Sequence, residues 1–106
     1  MRREVKFGAM TVKGWDEGKM KTFADLKFHP HASGNGIQAI MRFENGRGVS
    51  VVQFDGSYGH QQGLYELAVL DKDGNIDYST AITNDVLGWL TINEVSEAMN
   101  GVELLT

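Results

Sequence analysis

"IQAIMRFENGRGVSVVQF", residues 37–54, decides the fold. Two runs rich in β-branched and aromatic residues flank Asn45-Gly46, and Asn-Gly is a strong short-range hairpin signal because a type I′ turn needs positive φ at both central positions. A two-residue loop sets Glu44 opposite Arg47, Phe43 opposite Gly48, Met41 opposite Ser50, Ala39 opposite Val52 and Ile37 opposite Phe54. Alternation then gathers Ile37, Ala39, Met41, Phe43, Val52 and Phe54 on a core face, and Gln38, Arg42, Glu44, Arg47 and Gln53 on the other.

Downstream, Leu64 to Tyr78 reads as a second hairpin around "DKDG", Asp71–Gly74, a turn of acceptor side chains and a glycine able to adopt αL. "LYELAVLD" is apolar on both faces, with Tyr65, Leu67 and Val69 on one and Leu64, Ala68 and Leu70 on the other, as suits a central strand covered on both sides. Ile76 and Tyr78 mark a shorter partner. Further on, Thr91 and Glu94 in "TINE" spell a capping box, with Leu90 and Val95 placed as a hydrophobic staple. Val95, Ala98, Met99 and Val102 follow at helical spacing, a stripe for the sheet's core face. Thr83 or Asn84 is placed to cap a shorter helix through "DVLGWL", with Val86, Leu87 and Leu90 facing inward. The expected fold is α+β: a four-stranded antiparallel β-meander of two hairpins, with C-terminal helices packed on one face.

Upstream, the first 27 residues carry scattered apolar positions without helical period and read as a loosely attached segment. Met20 is a plausible natural start, so residues 1–19 read as an extension, or else as a short hairpin over Glu4–Gly14 held by Phe7 and Trp15. Residues 20–106 form a single α+β domain in this reading.

A chain of 106 residues, 42 % hydrophobic and 23 % charged, has the composition of one globular domain. The absence of cysteine excludes disulfides, thiol catalysis and zinc–thiolate sites. No run is long and apolar enough to span a bilayer, and "MRREVKFGAM" lacks the apolar stretch of a signal peptide, which points to the cytoplasm and away from membranes. Of the ten basic residues, seven lie in residues 1–28 against four acids; residues 29–106 carry three against ten acids. An acidic body of this kind disfavours nucleic acid and favours basic partners.

Three constellations bear on chemistry. His29 and His31 in "HPH" alternate in an extended segment, and His60 is a third imidazole for a metal, but no further ligand or ligand-spaced helix accompanies them, and a polar connector accounts for the same residues. In "DGSYGHQQG", Asp55 to Gly63, the residues Asp55, Tyr58 and His60 have the makings of an acid–base set. Ser57 stands between glycines, yet a nucleophile elbow runs from strand into helix and here a strand follows. The loop therefore reads as a recognition loop with Asp55, Ser57, Tyr58 and His60 as its binding residues, and Trp89, beside Gly88 at a helix junction, as an exposed anchor. Third, Asp71, Asp73 and Asn75 open like a calcium loop but lack its distal glutamate and flanking helices, which leaves a plain turn. No cofactor motif is present: "GNGIQAI" leads into a strand rather than a helix.

The strings "GVSV", "GSYG", "GLYELAVLDKDGNIDY" and "ITNDVLGWLT", in that order over about residues 22–105, resemble a family of small uncharacterised proteins of tailed bacteriophages. The resemblance implies a phage accessory protein in the cytoplasm of an infected bacterium, without implying a reaction. With the acidic body, it leads to the expectation of a non-enzymatic protein that binds a host protein. Metal or ligand binding through His29, His31, His60 and the 55–63 loop is one alternative; self-association as a homodimeric structural component is another.

Overall fold

The computed structural model describes residues 20–83 and 85–105. The readings of residues 1–19, and of Asn84 as a cap, lie outside the described residues. An antiparallel sheet of five strands runs in sequence order: β1 (His29–Pro30), β2 (Gly36–Arg42), β3 (Gly48–Phe54), β4 (Tyr65–Leu70) and β5 (Leu87–Leu90). One helix, α1 (Ile92–Glu103), covers one face.

The α+β meander stands, with five strands in place of four and, among the described residues, one C-terminal helix where more than one was expected. The segment expected to form the shorter helix is β5. The expected helix has only the six residues of "DVLGWL", interrupted by Gly88, too few hydrogen bonds for an isolated helix to offset its nucleation, whereas β4 is buried on both faces and takes a strand on each side. The expected Ile76–Tyr78 strand shrinks to a single bridge between Leu70 and Ile76. Asp77 ends it: its carboxylate accepts the backbone N–H (2.8 Å) and hydroxyl of Ser79, and pairs with Arg47 Nη1 at 2.9 Å, so the chain turns away from the ladder.

The register of the first hairpin differs by one position from the two-residue reading. Arg42 faces Gly48, Met41 faces Val49 and Ala39 faces Val51. The loop holds three residues, Glu44–Gly46, closed by Phe43 N–H to Arg47 O at 2.8 Å, and Gly46 alone of them takes the left-handed conformation, at φ 89°. Asn45 is spent elsewhere: its Nδ2 donates to the carbonyls of Val102 (2.8 Å), Glu103 (3.2 Å) and Leu105 (2.9 Å), capping the end of α1, where the last carbonyls of a helix lack partners. The shift moves Val52 and Phe54 off the helix-covered face and puts Val49 and Val51 there.

The core lies between that face and α1. Ala39, Val49, Val51, Leu67 and Val69 from the sheet meet Val95, Met99 and Val102 from the helix, all fully buried. Thr91 Oγ1 accepts the Glu94 N–H and Glu94 Oε1 accepts the Thr91 N–H, at 3.2 and 2.9 Å, so the capping box forms as read. Residues 20–27 are tied down, in contrast to the loose attachment expected of them. Leu26 is in the core, Phe23 packs its ring 5.1 Å from Tyr65, and the Phe23 N–H donates to Ser96 Oγ of α1 at 2.9 Å.

Hydrogen bonds from the Ser79 side chain and backbone, reinforced by Arg47, lower the Asp77 pKa to about 2. A carboxylate depressed in the folded state stabilises the fold above its unfolded pKa and loses that contribution as pH falls through the folded one. Between about pH 4 and pH 2 the wild type is therefore expected to lose stability more steeply than Asp77→Asn, measured by urea denaturation across that range.

Candidate functional site

At the end of the sheet away from Asn45, three segments converge: the turn from His31 to Gly36, the 55–63 loop and β5. The Asp55 N–H donates to Asn35 O at 3.2 Å, and the Trp89 N–H to Tyr58 O at 3.4 Å.

Tyr58 and Trp89 form the feature that stands out. Tyr65 faces Leu90 and Leu67 faces Leu87, so Gly88 and Trp89 together oppose Glu66 in a β-bulge. Trp89 sits there at φ 55°, the one left-handed non-glycine among the described residues. For a bulky side chain this costs about 1–2 kcal/mol, and such strain persists where the surroundings hold it. The indole stacks on the Tyr58 ring at 5.0 Å and 25°, yet Trp89 is 57 % and Tyr58 54 % exposed. Two glycines allow the approach. A Cβ on Gly88 would lie 2.6 Å from Tyr58 Cβ, and one on Gly59 would lie 2.9 Å from Trp89 Cα.

The remaining loop residues take distinct roles. Ser57 is buried, its hydroxyl donating to Phe54 O at 2.8 Å and accepting the Phe54 N–H at 3.0 Å. It therefore closes the loop's first turn. His60 Nε2 lies 3.1 Å from Asp55 Oδ1, a partly exposed pair on the rim. Glu66, which the sequence reading passed over, is brought in by the bulge, and its Oε1 accepts the Tyr58 N–H at 3.0 Å. Its signal was visible, since Glu66 is the one charged residue inside an otherwise apolar strand.

The three histidines go to separate tasks. His29 is exposed on β1, its Nδ1 3.2 Å from Pro30 O. His31 stacks on Phe54 at 4.0 Å, and its Nδ1 accepts the Ser33 N–H at 3.0 Å. Among the described residues no three His, Asp or Glu side chains gather to hold a metal ion. In the "DKDG" turn Asp71 Oδ1 accepts the N–H groups of Asp73 and Asn75, at 2.9 and 3.0 Å, as a turn-forming aspartate does. A cavity of about 590 Å³ lies at the opposite end of the sheet, lined by Lys21, Asp25, Glu44 and Glu103 among others. Burial raises the Glu103 pKa there, partly opposed by the Lys21 N–H that donates to Oε2 at 2.7 Å.

The fold and site define an α+β domain with an aromatic platform at one end of an antiparallel sheet. No family model, curated protein or solved structure matches the chain. No helix among the described residues is long and apolar enough to cross a membrane.

Proposed function

We propose that this is a non-catalytic binding protein, a phage-type accessory protein that engages a host protein in the bacterial cytoplasm through the Tyr58–Trp89 platform and its acidic surroundings. The observation that carries the reading is a stacked aromatic pair held more than half exposed by a strained backbone. Large exposed aromatics of this kind anchor protein interfaces. The loop supports binding better than catalysis, since its Ser57 hydroxyl is tied to the backbone at Phe54.

Trp89→Gly separates binding from folding. Glycine loses the stack, about 1 kcal/mol, and relieves the left-handed strain, about 1–2 kcal/mol, so the midpoint of unfolding is expected to change little. Affinity capture from expressing bacteria is expected to recover one host protein with the wild type and to lose it with Trp89→Gly. Equal recovery by both, or recovery of nothing above background by the wild type, would overturn the proposal.

A further inference from the structure

We infer that the platform receives an arginine side chain of the partner protein, its guanidinium lying on the outer face of Trp89 and its charge met by Glu66 and Asp55. This rests on the binding reading above and names its chemistry.

Charge is the first support. Between Gly48 and Thr106 the chain has one basic residue, Lys72, against nine acids. Lys72 belongs to the opposite end of the sheet, where its Cβ would lie 3.6 Å from a Cβ on Gly46. Lys21 and Arg42 line the cavity at that opposite end, and Arg47 closes the hairpin loop there and pairs with Asp77. At the platform end two imidazoles are engaged, His31 on Phe54 and His60 on Asp55. A cation from a partner would therefore meet the carboxylates of Glu66 and Asp55 in a part of the chain rich in acids.

Geometry is the second. Indole faces attract cations more strongly than the other aromatic rings do, and the near-parallel Tyr58 and Trp89 rings present an outer face to solvent. Glu66 stands directly across the bulge from Trp89, its carboxylate positioned by the Tyr58 N–H. Asp55 adds a second carboxylate, 65 % exposed. A planar, weakly hydrated guanidinium can stack on indole while forking onto a carboxylate; a compact ammonium does one or the other. Phosphate-bearing partners are repelled by the same carboxylates.

The test uses the full chain, isotope-labelled, with the Trp89 indole N–H resonance assigned through Trp89→Gly. A short Arg-Gly repeat peptide is expected to shift that resonance. The lysine counterpart is expected to bind about tenfold more weakly, and the uncharged citrulline counterpart not at all. Asp55→Asn combined with Glu66→Gln retains acceptors for His60 and for the Tyr58 N–H while removing both charges, and is expected to weaken the arginine peptide about tenfold with the unfolding midpoint preserved. Equal shifts with arginine and citrulline peptides, or none with either, overturn the inference. If host-protein capture still depends on Trp89 in that case, the binding reading stands without it. A resonance that already moves on substituting Arg2 and Arg3 of the chain itself makes the occupant internal, and also overturns the inference.

Discussion

Leu67→Ala is expected to lower stability by about 3–4 kcal/mol, read as a fall in the urea midpoint with an unchanged slope. Leu67 is the largest of the fully buried side chains. It sits on β4 opposite Val51 and belongs to the core shared with Val95 and Met99 of α1. Removing its branched end leaves a cavity that strands on both sides and a helix above keep from collapsing, which places the cost toward the upper part of the usual range. Ile40→Ala is the matched comparison. Ile40 is an aliphatic residue of the same sheet but is 53 % exposed, so its loss is expected to change stability by about 0.5 kcal/mol or less. Similar losses from both would mean that the core does not lie between the sheet and α1.

The central position of Leu67 was legible in "LYELAVLD", because a strand apolar on both faces has few other places to go. The Asn45-Gly46 hairpin was legible for a comparable reason, as was α1, whose capping box and apolar stripe are local patterns that agree with each other. What could not be read is where a long-range partner decides the outcome. Asn45 fits a two-residue turn by local preference, but the carbonyls of Val102, Glu103 and Leu105 claim its side chain, and the register moves by one. "DVLGWL" has apolar residues at helical spacing and a plausible cap, but the outer edge of β4 needed backbone partners. The site follows the same division. Tyr58, His60 and Asp55 stand in a glycine-rich loop that announces itself; Glu66 becomes part of the site only through the bulge, and the left-handed Trp89 has no sequence signature.

Gly59→Ala is expected to displace the platform while leaving both of its rings in the chain. Gly59 has φ 88°, so any side chain there pays the left-handed cost of about 1–2 kcal/mol. A Cβ would also lie 2.9 Å from both Leu64 Cβ and Trp89 Cα. The second of these is backbone inside the bulge, which cannot swing aside as a side-chain tip can, so Trp89 must move relative to Tyr58. Affinity for the partner is expected to fall by at least about tenfold, in keeping with the loss of an aromatic anchor, and the near-ultraviolet ellipticity of the stacked rings is expected to diminish. Gly63→Ala isolates the strain from the clash. Gly63 is also left-handed, at φ 73°, but nothing lies within 4 Å of its Cβ position, so it is expected to lose about 1 kcal/mol of stability with binding and ellipticity intact. Matching losses of binding in the two variants would assign the effect to loop strain, whereas a loss confined to Gly59→Ala ties binding to the position of the indole.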